Sequence, residues 1–532
     1  MASTCTTALH GVQVEENPLA ENTAPSASIL FASSPNEPAI ELVEVESDAF
    51  GDLNLDQLVA DVTAGRDQYE LRPYFFTPLT SAAAVQFRHA VIQDLAQPRV
   101  RKSIHGFAEG MRAMRTLLAE ADSLRYRQQK QRVALEAVTC YLRAVGGLAS
   151  GFMDADLASS GMLRFRDQLD QYVASEAFST LAEDADQTTD RLEQIRYEFL
   201  IEGGRISVFP LTEEADYSAD VAATFSKFRQ SEVASKLQSR QDPVAMNHVE
   251  AGILGLVGEV FPDQFDALAR FVQKHAVFQS AMIARFDREV QFYLAYLEYL
   301  ERIPDLATCL PTVTREPTSS VRDAVDLVLA AKLAGGAHPV VGNDFSLTGE
   351  ERVLVVTGAN QGGKTTFARA FGQLHYLAAL GLPVAASSAT LHLFDRVFTH
   401  FERQENLQNL TGKLEDDLLR VHAILQQASG ESIVILNEIF TSTTVSDALF
   451  LGTQILDRII TLGALGVYVT FVDELSALGP GTVSMVAEVD PAEVTTRTFR
   501  IRRRPADGLA HATAMAARYG LTATRLRERI HA

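Results

Sequence analysis

Residues 358–366 hold the types and spacing that bind polyphosphate. Gly358, Ala359, Asn360, Gln361, Gly362, Gly363, Lys364, Thr365 and Thr366 follow the pattern of two separated glycine positions, a lysine and a hydroxyl. The glycines let successive backbone N–H groups turn inward toward phosphate oxygens. Lys364 reaches the β- and γ-phosphates, and the Thr365 hydroxyl can ligate Mg²⁺. Such a loop works only between a strand and a helix. The β-branched run Val353–Val356 precedes it and a helical pattern follows. A chance Gly-rich turn beside a buried strand is the blander reading, and the register of strand, loop and helix argues against it. The pattern predicts a site for a nucleoside triphosphate with Mg²⁺.

Two further apolar runs end in groups able to complete that site. Ser432–Leu436 leads directly into Asn437 and Glu438, and Val467–Phe471 is followed by Asp473 and Glu474. Acidic or amide groups at the ends of neighbouring parallel strands lie beside bound phosphates. Glu438 is placed to polarise an attacking water, and Asn437 to join Thr365 in the Mg²⁺ shell. Glu438 read as a simple cap after a strand is the alternative.

The elements that must position these groups fall into two textures. From about Asp52 to Ile303 apolar residues recur at helical spacing. Examples are Phe107, Met111, Met114 and Leu118, then Met162, Phe165, Leu169 and Val173 extended by Leu192, Ile195 and Phe199, then Phe265 through Phe278 to Leu300. These predict long antiparallel helices of about 30–40 residues, or roughly 45–60 Å. Arg205–Pro210 alternates like a short strand after Gly203 and Gly204. The aromatic run Phe292–Leu300 has helical spacing and reads as interhelical packing rather than base stacking. Pro304, Pro311 and Pro317 mark a linker, and from about Val321 strands alternate with helices, as in a parallel α/β sheet. Residues 1–40 read as a largely disordered tail broken only by Ile29–Phe31, residues 41–320 as a helical unit, and residues 321–532 as the nucleotide domain.

Composition excludes several classes. A chain of 532 residues exceeds one core, and 47% hydrophobic with 22% charged residues describes a folded protein. A net charge of −21 rules out a generally basic nucleic-acid coat, so any nucleic-acid contact needs a local basic surface. Cys5, Cys140 and Cys309 fit no metal spacing and read as reduced thiols of a cytoplasmic protein. No apolar run was expected to span a bilayer, so membrane association is not predicted. The basic run Arg500–Arg504 reads as a solvated rim rather than a nucleic-acid contact.

The C-terminal half resembles the ATPase domain of the MutS DNA mismatch-repair family, itself related to ABC-type ATPases. Thr357–Thr365 resembles the family loop T-G-P-N-M-G-G-K-S. Gly381–Ala385 is similar to G-x-x-V-P-A, Ala389–Thr399 to the element containing D-R-I-F-T-R, and Asn437–Asp447 to D-E-I-G-R-G-T-S-T-Y-D. Gln86–Leu95 is similar to the start of the family's core domain. The resemblance implies a multidomain protein: a mainly α-helical core with long lever helices, followed by an α/β P-loop ABC-like ATPase domain. It leaves no room for mismatch-reading and connector domains or a C-terminal dimer clasp.

The resemblance also implies function. Its ligands are ATP and ADP with Mg²⁺, its partner duplex or structured DNA, and its active form a homodimer. With the clasp missing, that dimer is expected to be weak and ATP-dependent, with the loop near Asn409–Asp417 completing the other subunit's site. The expected role is a DNA-binding ATPase in repair or recombination whose nucleotide state opens and closes the levers. Branched DNA, RNA or a ribosome as the partner is one alternative, and a slow or non-hydrolysing scaffold another. Three departures bear on this choice. Asn437 replaces the Walker B Asp, which is expected to slow hydrolysis. Phe471 stands where the family has a His, and Gly412 stands at a signature Ser, with Thr411 its nearest substitute. No aromatic of the Val341–Phe345 segment matches the family's adenine-stacking residue.

Overall fold

A computed structural model describes residues 27–32, 41–211, 246–336, 340–401, 412–489 and 497–506. Its first half is helical, as the periodicity requires. Pro98–Ser123 and Arg127–Met153 form an antiparallel pair, with Gly110 against Ala144 and Gly151 against Ser103. A Cβ on Gly110 would stand 2.7 Å from that of Ala144, so the close approach of these backbones depends on glycine. Ala281–Glu301 crosses the middle of the core with Ile283, Phe286, Val290, Tyr293 and Tyr296 buried. Phe286 stacks on Phe165, and Phe292 packs on Phe75, which makes the aromatic run a packing surface.

The helices are shorter than the periodicity suggests. The longest among the described residues, Arg127–Met153, has 27 residues, or about 40 Å at 1.5 Å per residue. The run from Met162 breaks at Ser175, whose hydroxyl caps Phe178 N–H, and the run from Phe265 breaks between Lys274 and Ala281. Phe199 belongs to a strand rather than a helix. Strands β1 (Tyr197–Glu202) and β2 (Arg205–Pro210) form an antiparallel hairpin, with Gly203 and Gly204 at φ +56° and +81° in the turn. Residues 212–245 lie outside the described residues. Contrary to the expectation of no spanning-length run, Arg127–Met153 has the length and apolar composition of a membrane span. Its Leu135, Val138, Tyr141, Val145, Leu148 and Phe152 are buried in the helical core.

Two sheets build the second half. Strands β3 (Thr312–Thr314), β4 (Ser319–Ala324), β5 (Asn343–Leu347) and β7 (Ser388–His392) pair in the order β3-β7-β4-β5. The segment expected to be a linker is therefore woven into a sheet, and the 320/321 boundary falls inside β4. The larger sheet contains β6 (Val353–Gly358), β8 (Val397–Phe401), β9 (Ile433–Asn437), β10 (Leu465–Val469), β11 (Thr482–Val489) and β12 (Arg497–Arg503). Its order is β12-β11-β6-β10-β9-β8, parallel throughout except for β12. Side chains alternate across it. Leu354 and Val356 face the cluster with Phe367, Phe371 and Leu374 of the Lys364–Ala379 helix, and Val353 and Val355 face that with Ile455, Leu456 and Ile459 of the Val445–Leu462 helix.

The largest departure is at the N-terminus. Residues 27–32, within the segment read as a disordered tail, are embedded: Ser28, Ile29 and Leu30 are buried. The buried Glu289 carboxylate accepts Ser28 Oγ at 2.9 Å and Ile29 N–H at 2.7 Å, and Tyr293 Oη donates to Ile29 carbonyl at 2.7 Å. Arg88, fully buried, donates to Leu30 carbonyl at 3.1 Å and Leu380 carbonyl at 2.7 Å, between the rings of Phe31 and Phe292. Average polarity concealed this because three apolar residues and a backbone carboxylate clamp suffice to order a short strap. Removing Arg88 orphans two buried carbonyls and opens a cavity, so Arg88→Ala is expected to cost about 2–4 kcal/mol. A lowered Tm and new protease cleavage near residue 30 are the expected readouts. An unchanged Tm would contradict the strap's role.

Candidate functional site

The loop after β6 takes its shape from glycines at close approaches. Gly358 has φ +106° and Gly363 φ +90°. A Cβ on Gly358 would lie 2.9 Å from Ala487 carbonyl oxygen, and one on Gly362 2.9 Å from that of Ala359. Gly363 is the N-cap of the Lys364–Ala379 helix and offers no side-chain cap, so the first-turn N–H groups are open to an anionic ligand. Gln361 also sits at φ +61°.

Lys364 is buried, with 4% of its side chain exposed. Its ammonium donates to Gly358 carbonyl at 2.9 Å, Ala359 carbonyl at 3.4 Å and Asn360 Oδ1 at 3.2 Å. Glu438 Oε1 lies 3.6 Å away. Burial lowers the Lys364 pKa from its ordinary range, and the Glu438 charge opposes that shift. The cation is thus held at the base of the loop and paired with the carboxylate that follows β9, on the far side of β10 from β6.

Glu438 leaves β9 at φ +54°, and its N–H donates to Val469 carbonyl at 2.9 Å. Phe440, at φ +61°, donates its N–H to Asp417 Oδ2 at 3.2 Å, while Asp417 Oδ1 is 2.8 Å from His400 Nε2. His400 and Asp417 are both buried, so this pair braces the strained turn that carries Glu438. Lys413 Nζ adds a contact to Thr441 Oγ1 at 3.0 Å. Asn437 is the last residue of β9, buried, and its Oδ1 makes no hydrogen bond within the protein. A buried orphan acceptor at a strand end suits a hydrated cation.

These groups meet in a cleft of about 690 Å³. It is lined by Gln361, Gly363, Lys364, Thr365, Thr366 and Glu438, together with Leu329, Leu333, Val340, Val341, Asn343 and Phe499. Gly358, Ala359, Asn360 and Gly362 frame the loop without lining the cleft, and Asn437 is not among the lining residues either. Phe471 is exposed, and Thr470 donates its N–H to Val356 carbonyl at 3.0 Å. Gly412 caps the Lys413–Gln427 helix, while Thr411 and residues 409–410 lie outside the described residues. The motif reading missed Phe499, hidden in a run of arginines, and the His400–Asp417 pair, which joins residues 17 positions apart. The arrangement can cradle a triphosphate, place a cation and direct a water by one carboxylate.

Comparison with known proteins points to this same C-terminal part of the chain. Residues 354–526 match the family model for MutS domain V. The DNA mismatch repair protein MutS of Granulibacter bethesdensis is 30% identical over 214 residues, covering 40% of this chain and 23% of that protein. The endonuclease MutS2 of Thermomicrobium roseum is 31% identical over 203 residues, covering 36% of this chain and 25% of its own length. The chain thus spans about a quarter of the length of the curated relatives it matches. The matched region contains the loop, β9 with Glu438, and the Lys413–Gln427 helix, and through this C-terminal portion the chain is similar to MutS-family proteins.

Proposed function

We propose that this chain is a MutS-type ATPase that binds DNA in repair or recombination, with ATP held by residues 358–366. The observation that carries the reading is Lys364 and Glu438 paired at 3.6 Å in one cleft with the open N-terminus of a helix and the Thr365 and Thr366 hydroxyls. The loop N–H groups and the first helical turn bind the phosphate oxygens. Lys364 exchanges its loop carbonyls for the β- and γ-phosphates. Thr365 Oγ1 and Asn437 Oδ1 would hold Mg²⁺, which would supply charge neutralisation to the phosphates. Glu438 orients a water for attack on the γ-phosphorus and accepts its proton as the bond to ADP breaks.

The Lys364–Ala379 helix supports transmission of nucleotide state to the helical half. Gln373 Nε2 donates to Leu53 carbonyl at 2.9 Å, Tyr376 Oη to Phe75 carbonyl at 2.9 Å, and Leu79 N–H to Ala379 carbonyl at 2.7 Å. Beyond the helix, Tyr296 Oη from the Ala281–Glu301 helix donates to Pro383 carbonyl at 2.7 Å. A second reading, a scaffold that binds ATP and scarcely hydrolyses it, is favoured by one observation: the amide of Asn437 where a carboxylate would serve the cation better.

Lys364→Ala is expected to abolish ATP binding in calorimetry, and equal affinity for both proteins would refute the site. Glu438→Gln is expected to keep ATP binding while reducing phosphate release by about 10²-fold or more. Asn437→Asp is expected to raise turnover modestly or lower the Mg²⁺ requirement, since bound Mg²⁺ offsets repulsion between the two acids. Wild-type turnover in Glu438→Gln removes the catalytic assignment, and inert proteins throughout favour the scaffold. A dimer is expected by light scattering with a non-hydrolysable ATP analogue. A monomer at high concentration under those conditions contradicts a site shared between subunits.

A further inference from the structure

Residues 27–31 meet the helical half through a groove of side chains. Gln168 Oε1 accepts Ala27 N–H at 2.8 Å, the Glu289 carboxylate accepts Ser28 Oγ and Ile29 N–H, and Tyr293 Oη donates to Ile29 carbonyl. Arg285 Nε, 2.7 Å from Glu289 Oε1, holds that carboxylate from one turn away on the same helix. The strap closes a turn of its own, in which Ser28 Oγ accepts Leu30 N–H at 3.1 Å and Phe31 N–H at 2.9 Å. Ile29 and Leu30 are buried in the groove, and the Phe31 ring lies against Tyr74 with centroids 6.3 Å apart. Main-chain hydrogen bonds that give affinity and apolar pockets that give specificity are the marks of peptide recognition.

Arg88 ties this groove to the second half of the chain. Its Nε donates to Leu30 carbonyl and its Nη1 to Leu380 carbonyl, just past the Lys364–Ala379 helix, while its Nη2 is buried with no hydrogen-bond partner. The Phe31 and Phe292 rings lie 5.2 Å and 5.1 Å from the guanidinium carbon. Withdrawing the strap would take away one carbonyl and one ring, and leave a buried cation already short of a partner with Leu380 carbonyl alone. We infer that Ala27–Phe31 is a tethered peptide ligand, that its groove takes the same peptide supplied in trans, and that its seating holds Arg88 on the end of the Lys364–Ala379 helix. With the strap out, Glu289 loses Ser28 and Ile29, and its charge, which already favours the Arg88 cation, draws the guanidinium away from Leu380. Seating of the strap and the Arg88–Leu380 bond therefore stabilise one another, since such coupling is reciprocal.

The test uses the full chain and a fluorescent synthetic peptide of residues 26–33, Ser-Ala-Ser-Ile-Leu-Phe-Ala-Ser. Ile29→Asp puts a carboxylate into an apolar pocket beside Glu289 and so empties the groove of its own strap. In wild type the tether gives the strap an effective concentration on the order of millimolar, so the peptide at about 100 μM is expected not to bind. Ile29→Asp is expected to bind it by fluorescence anisotropy, and a peptide carrying the same substitution is expected to stay free. In hydrogen exchange, the N–H groups of Leu380 and Gly381 are expected to lose protection by about tenfold in Ile29→Asp and to regain it with the peptide. A folded Ile29→Asp chain that ignores the peptide overturns the ligand, and binding without change at Leu380 and Gly381 overturns the link through Arg88. Should Ile29→Asp not fold, wild type alone decides. Its Ile29 and Phe31 N–H groups are expected to exchange at least about tenfold faster than the buried part of the Ala281–Glu301 helix, because a ligand leaves by local opening. Exchange at one common rate makes the strap an inseparable part of the core and overturns the proposal.

Discussion

The rest of the molecule depends on the burial of the Lys364–Ala379 helix. Its first residue, Lys364, carries the buried cation of the glycine-rich loop, and nearly every residue from Phe367 to Ala379 is buried. A helix hidden on most sides needs partners for its polar side chains and its C-terminal carbonyls, and the helical half provides them. Gln373 bridges Leu53 carbonyl and Asp326, and Arg88 takes the carbonyl of Leu380. Gly381 follows at φ +69° with Arg88 against it, so the chain turns where a side chain would collide. Loop and helical core therefore share one packed unit, joined at contacts with Leu53, Phe75, Leu79 and Arg88.

The charge arrangement at the other end is equally constrained. Lys364 is buried and Glu438 partly exposed, which keeps the cation fixed and leaves the carboxylate reach toward solvent. The turn that carries Glu438 uses two non-glycine residues in left-handed backbone, Glu438 and Phe440, a cost of about 1–3 kcal/mol each that surrounding contacts must over-determine. The His400–Asp417 pair does so from the edge strand and the Lys413–Gln427 helix. Asn437, one residue earlier, leaves a buried acceptor without a partner.

Much of this was legible in the sequence, for physical reasons. The loop was readable because glycine, lysine and threonine each have a local steric or chemical role at a fixed spacing. The strands β6, β9 and β10 were readable because a parallel sheet buried on both faces demands unbroken apolar runs. Helical periodicity revealed which faces are buried but not where helices end. Ser175 looks like any serine until its hydroxyl is seen to cap Phe178 N–H. Long-range pairings left no local trace: Ser28 with Glu289, Arg88 with Leu380, Asn343 with the β12 backbone. Phe499 escaped because its neighbours are arginines, and only a strand bulge turns it toward the cleft.

The central claim is that the strand–loop–helix unit at Val353–Ala379 holds the triphosphate of a nucleotide. A crystal structure of the full chain with Mg²⁺ and a non-hydrolysable ATP analogue tests it most directly. The account predicts triphosphate density across Gly358–Thr365, with the Lys364 ammonium moved from Gly358 and Ala359 carbonyls to β- and γ-phosphate oxygens. Density for the analogue elsewhere, with Lys364 still bonded to its loop, would contradict it.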